Sequence, residues 1–265
     1  MTRKLDPLYD LLPLKKLTPA RVGLARAGSS IATRDILTFD LDHAQARDAV
    51  HLPFDSAGIA SQLDDRQIRS IGVHSAAADR TTFLQRPDLG RQLDDPSRQR
   101  LKPFRSPDNE SYDLAMVIAD GLSPRAIHSN AIAFIDSFKK HSAAHGWRWA
   151  PLVIASQARV ALADEIGEIL NARLSVILIG ERPGLSAADS MGIYLTYAPR
   201  IGCTDAQRNC ISNIRQAGLH PDKAAQQLQV LISGAFKLGL SGVNLKIKKE
   251  SLTMAYQGRR RPRRP

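Results

Sequence analysis

Long apolar runs are missing from this sequence. Its apolar runs, such as Val176–Ile179, fall far short of the roughly 20 residues that a membrane helix needs, so no spanning helix is expected. Cysteine is scarce. Cys203 and Cys210 are the two present, and two cysteines cannot staple 265 residues. Their spacing fits no zinc pattern, and thiols are expected rather than a disulfide. Aromatic residues make up only 5%, which supplies a base-stacking platform poorly. No Gly-x-Gly or Gly-Lys occurs, nor His-Glu-x-x-His, nor Gly-x-Ser-x-Gly. These absences exclude the dinucleotide fingerprint, the phosphate loop, the zinc-protease helix and the hydrolase elbow. The start, Met-Thr-Arg-Lys-Leu-Asp, has no apolar stretch after its basic residues, so no secretory signal is read and a cytoplasmic location is expected.

Acidic charge is also in deficit. The formal net charge is +11, which would suggest nucleic acid. Its distribution argues otherwise. Five arginines crowd into the last seven residues, Arg259–Pro265, and account for nearly half of the excess. A Pro/Arg tail cannot bury apolar surface and is expected to be disordered. A phosphate-binding arm is the competing reading of that tail. Nucleic-acid binding by the rest of the chain is not expected.

What is present is a core-forming pattern. Four short apolar runs, Asp113–Ala119, Leu152–Ser156, Val176–Ile179 and Ile193–Tyr197, are bounded by turn residues and read as strands buried on both faces. Helical patterns separate them. Ser123-Pro124 reads as an N-cap followed by proline, with Ile127, Ala131, Phe134, Ile135 and Phe138 inward. From Val160 to Leu170 the pattern puts Val160, Ala163, Ile166, Ile169 and Leu170 inward and Asp164, Glu165 and Glu168 outward. A further helix is expected around residues 35–47. The alternation predicts an α/β fold: a Rossmann-like, mostly parallel sheet flanked by helices over residues 111–248. A smaller, mainly helical region at residues 1–110 would precede it, and the basic tail at 249–265 would follow.

Ligands of such sheets bind at the carboxyl ends of the strands. Three loops therefore stand out: Asp120–Ser123, Ser156–Val160 and Gly180–Ser186. Each is read equally well as an ordinary connection. Arg86-Pro87-Asp88 followed by Gly90-Arg91 reads as an anion site or, as easily, as an Asp88–Arg91 ion pair. His43 is a structural residue or, less often at such a position, a ligand or base. Residues alone name no reaction, and a Rossmann-type binding or scaffold module remains open.

Several long segments resemble one family. IADGLS at Ile118–Ser123, QARVALADEIGEIL at Gln157–Leu170, GERPGLS at Gly180–Ser186, DSMGIYLTYAPR at Asp189–Arg200, RNCISNIR at Arg208–Arg215 and GLSGVNLK at Gly239–Lys246 occur in order. Upstream, Leu17–Arg26, Asp42–Val50 and Phe83–Leu93 extend the match. The chain resembles the small subunit of ethanolamine ammonia-lyase. Ala25 stands where the family commonly has glycine, and the tail beyond about residue 248 matches nothing in it.

The resemblance implies half of an ammonia-lyase that converts ethanolamine to acetaldehyde and ammonia with adenosylcobalamin. The large subunit would carry the catalytic side chains, and the two would assemble six plus six. Residues 111–248 would contact the corrinoid. Carried over by motif, the cofactor-binding positions are Val160 of QARV, Glu181 of GERPG and Cys210 of RNCIS. None of the seven histidines has aspartate two places before it, so cobalt is expected to keep its own dimethylbenzimidazole base (base-on), with no metal ligand from this chain. Family members in bacterial microcompartments often carry a longer N-terminal extension, whereas sixteen residues precede the match here, so encapsulation stays open.

Overall fold

The computed structural model describes residues 17–246 except Pro19, Ala25, Asp108 and Asn109. The basic tail and the Ala25 departure therefore lie outside the described residues. A small hairpin, β1 (Arg26–Ala27) and β2 (Ser30–Ile31), leads into α1 (Thr33–His51) and α2 (Ser56–Asp64). Then follow β3 (Ser70–His74), α3 (Arg80–Gln85), α4 (Asp95–Leu101), β4 (Tyr112–Ala119) and α5 (Pro124–Ser142). The second half continues with β5 (Leu152–Ser156), α6 (Leu162–Leu170), β6 (Ala172–Gly180), β7 (Met191–Tyr197), β8 (Arg208–Ile214) and α7 (Pro221–Leu238).

Six strands form one sheet in the order β3-β5-β4-β6-β7-β8. The first four are parallel, and β7 and β8 run antiparallel. The expected α/β class with a mostly parallel, helix-flanked sheet is what forms. All four apolar runs are strands. The sheet also takes its edge strand β3 from residues before 111, and β8 from a stretch that reads as polar loop.

Alternating residues feed two cores, which is why the central strands are apolar throughout. Leu114, Met116, Ile118, Ile193 and Ile211 face α2, α5 and α7. Ala115, Val117, Val153, Ile177 and Ile179 face α6. The second core stops short of the sheet's end: β7 gives it Tyr194 at its margin and β8 gives it nothing. One face of the β7–β8 hairpin is thus left without a covering helix.

The α5 start is as expected. Ser123 accepts from the Ala126 amide at 3.2 Å, and Pro124 opens the helix. α1 differs from the other long helices. Ala49 is its one buried residue, and Ile36, Leu37, Phe39 and Leu41 are exposed. His43 is exposed too and stacks on Phe39. Among the described residues no helix is long and apolar enough to cross a membrane.

α2 is anchored to α5 by a pH-sensitive contact. Asp55 caps α2 with its side chain and donates its backbone N–H to His128 Nε2 at 3.0 Å. That bond needs a neutral ring, and burial holds the His128 imidazole below its ordinary 6.5, with Asp55 opposing. The depressed value means that this contribution to stability is present above the ordinary value and lost as pH falls through the folded one. The unfolding midpoint is expected to drop further in the wild type than in His128→Gln between about pH 7.5 and about pH 5.5. Equal drops would remove the role.

Candidate functional site

The three loops expected at the carboxyl edge come together there. Asp120, at the end of β4, is 1% exposed. Its carboxylate accepts from the Gly121, Gln157 and Ala158 amides, each at 2.9 Å. It therefore staples the β4 loop to the β5 loop. Gln157 adopts a left-handed φ of 54° to present its amide, a conformation costly for a non-glycine residue. The Leu122 amide donates to the Gly180 carbonyl at 2.9 Å and ties in the β6 loop. This approach is so close that a Cβ on Gly121 would overlap the Gly180 carbonyl, and one on Gly180 the Ser123 carbonyl. Glycine is required at both positions.

Arginines complete the edge. Arg80 of α3 reaches Asp120 at 3.3 Å, gives Nη1 to the Gly121 carbonyl at 2.8 Å and Nε to the Val50 carbonyl at 2.8 Å. Burial pushes the Asp120 carboxyl up, against the amides and Arg80, and also pushes the Arg80 guanidinium down, against Asp120. Arg80 and Arg159 both lie over the buried Phe83 ring, at 4.7 and 4.2 Å.

Beside this edge, a cleft of about 820 Å³ opens between the first turn of α6, the Arg91–Arg98 segment and the loop after β7. Val160 lines it, as does Tyr194. Glu181 and Cys210 are not in its lining. They flank Tyr194 instead. Cys210 is the direct cross-strand partner of Tyr194. Glu181 sits against Gly192 of β7, two residues before Tyr194, hence on the same face of the sheet. The three sequence-derived positions thus border one surface, the uncovered face of β7–β8, with Tyr194 between them.

Glu181 is oriented but not used up. Its Oε2 accepts from Ser190 Oγ at 2.5 Å and from the Asn213 amide at 3.3 Å. That amide is available because the β7–β8 register slips there and Asn213 adopts a φ of 61°. Oε1 takes no donor among the described residues, and Glu181 makes no ion pair among them. Both cysteines are free thiols. Partial desolvation pushes the Cys210 thiol up, the neighbouring Tyr194 opposes this, and Glu181 adds to it. Desolvation likewise pushes the Tyr194 phenol up, with Cys210 and then Glu181 adding. Both groups are therefore protonated at neutral pH.

A family model described as "Ethanolamine ammonia-lyase light chain (EutC)" matches residues 10–246. The chain belongs to this family. A protein of Pseudomonas putida strain GB-1 named ethanolamine ammonia-lyase small subunit is 53% identical over 247 residues, 93% of this chain and 91% of its own. One of the same name from Pseudomonas fluorescens Pf-5 is 52% identical over 249 residues, 94% and 91% of the two chains. Another, from Pseudomonas aeruginosa PAO1, is 54% identical over 239 residues, 90% and 88%. Membership makes the chain a subunit of a lyase, and a small subunit implies a large one.

Two local expectations for this small-subunit chain are corrected. Asp164 and Glu165 were expected on the solvent side of α6, yet they are 2% and 4% exposed. Arg208 from β8 pairs with Asp164 and Arg98 from α4 pairs with Glu165, both at 2.6 Å. Buried acids need such partners. Nor does Asp88 pair with Arg91; it takes Arg86 at 2.7 Å. Sequence patterns also passed over Arg80, Arg159 and Tyr194. Tyr194 is hidden inside an apolar run, and nothing local distinguishes the two arginines from others.

Proposed function

We propose that this chain is the cofactor-holding half of ethanolamine ammonia-lyase. Adenosylcobalamin, base-on, is held against the uncovered β7–β8 face, between this chain and the large subunit that carries the catalytic side chains. Bound there, it would supply the radical chemistry for converting ethanolamine to acetaldehyde and ammonia, while this chain would bind, orient and shield it. The observation that carries this reading is the free Oε1 of Glu181, fixed in place by its own Oε2 on a face that no helix covers.

The residues fit the group. Oε1 of Glu181 accepts an amide N–H, of which a corrin periphery offers several. Val160 gives an apolar contact at the cleft rim. Cys210, kept as a thiol, is a small soft surface beside the Tyr194 phenol. The cleft is open to one side, as a site completed by a second polypeptide must be. α1 supports a partner as well, because its row of exposed apolar residues is the kind of patch that marks protein–protein contact. We read the assembly as six plus six, in the cytoplasm, with a microcompartment as a compatible setting.

Neither purified subunit alone is expected to turn over ethanolamine, and mixing them should restore activity. In the mixture, Glu181→Ala should weaken adenosylcobalamin about tenfold, the loss of one charge-assisted hydrogen bond. Absorption titration reads the affinity, and size-exclusion chromatography verifies intact assembly. Unchanged affinity in an intact complex contradicts the proposal.

A further inference from the structure

The cleft holds more guanidinium than its carboxylates answer. Its three acids are already engaged: Asp164 and the exposed Asp205 pair with Arg208, and Glu165 pairs with Arg98. Two further arginines, Arg91 and Arg159, line the same space. Neither makes an ion pair among the described residues. Asp88 is bound to Arg86 through both carboxylate oxygens, at 3.0 and 2.7 Å, and so is committed elsewhere.

Arg159 is held in place rather than left to wander. Its backbone N–H donates to the Gly90 carbonyl at 2.8 Å, its Nη2 donates to the Phe83 carbonyl at 3.1 Å, and it stacks on Phe83. A side chain on Gly90 would push into the stem of Arg159 at 2.9 Å, so the glycine keeps its path open. Yet Arg159 Nε is buried with no partner. Burial first, and the nearby Arg91 second, hold the Arg159 guanidinium below its ordinary range. Two like charges beside a buried, unanswered N–H are costly until an anion joins them. Val160 and Ala161, which lead into α6, line the cleft beside them.

We propose that Arg91 and Arg159 form the subsite for a phosphodiester monoanion, supplied in the assembled enzyme by the nucleotide tail of the corrinoid. This rests on corrinoid binding at the β7–β8 face and deepens it. Val160, on the rim of the same cleft, directly follows Arg159, so a cofactor touching Val160 lies within reach of both guanidiniums.

The test is a titration of the reconstituted two-subunit complex with adenosylcobalamin and with adenosylcobinamide, which lacks the nucleotide tail and its phosphate. Absorption of the corrinoid reports binding in both arms. Arg91→Gln is expected to weaken cobalamin about 10- to 100-fold and leave cobinamide unchanged. Arg159→Lys keeps the charge but loses the planar fork and should show a smaller loss with the same selectivity. Equal losses for both corrinoids overturn the subsite. So does no loss for either, the result expected if free phosphate were the occupant. Val160→Trp separates this from failure of the underlying placement, because it should weaken both corrinoids alike. Should neither Val160→Trp nor the arginine changes move either titration, the cofactor does not lie at this face.

Discussion

Asp120→Ala is expected to lower stability by about 3–5 kcal/mol, the range for breaking a buried pair by removing one partner. Three backbone amides and Arg80 converge on this carboxylate. Alanine would leave the Gln157 and Ala158 amides without their acceptor and Arg80 without its counter-charge. Gln157 would then have little reason to keep its left-handed backbone. Chemical denaturation of the variant should show an earlier midpoint, and hydrogen exchange should show faster opening around residues 157–160. Asp120→Asn should recover only part of the loss. Its amide nitrogen cannot accept, so one carboxylate oxygen's set of bonds stays broken. A midpoint unchanged from the wild type would show that the loops hold without their staple.

Asp164→Ala should cost a similar amount, about 3–5 kcal/mol, and should also deform the cleft. Arg208 is 3% exposed in its side chain and Asp164 is 2% exposed, so the arginine would be left charged and buried. Asp205 at 3.2 Å is nearly fully exposed and compensates little. Burial pushes the Asp164 carboxyl up despite Arg208, so the pairing does not fully offset the cost of burying the charge. A folded value above the ordinary one means that its contribution is complete at low pH and declines as pH rises through the folded value. The pair is thus not itself a large source of stability. The double change Asp164→Leu with Arg208→Met should accordingly be much less damaging than Asp164→Ala alone. Denaturation midpoints of the three proteins decide this, and equal damage from the single and double changes would contradict it.

How legible each element was depends on where its partners lie. β4, β5 and β6 announce themselves because both faces of their central residues are buried, so those residues are largely apolar, and β7 reads as a strand from its apolar Ile193 and Leu195. β8 does not. Ile211 and Ile214 face the core, but Cys210 faces the uncovered side, Arg208 is a charged residue buried against Asp164 of α6, and the bulge at Asn213 breaks the period of two. β3 has Gly72 at its centre and exposes it, which conceals a five-residue strand. In α6, periodicity placed the apolar residues correctly but sent Asp164 and Glu165 outward, because their arginines lie 44 and 67 residues away. The candidate site shows the same division. Val160, Glu181 and Cys210 came from motif resemblance, whereas Arg91, Arg159 and Tyr194 become meaningful only once β7, α6 and the Phe83 segment are side by side.

The Asp120 staple has a consequence for association itself. Because the β4, β5 and β6 loops are already bound to one another, the conformational entropy of ordering them is lost when the chain folds, not when a ligand arrives. A preorganised rim of this kind leaves binding free energy for recognition instead of loop ordering. Calorimetry should then find a heat-capacity change that tracks the apolar area covered, without the added signature of coupled folding.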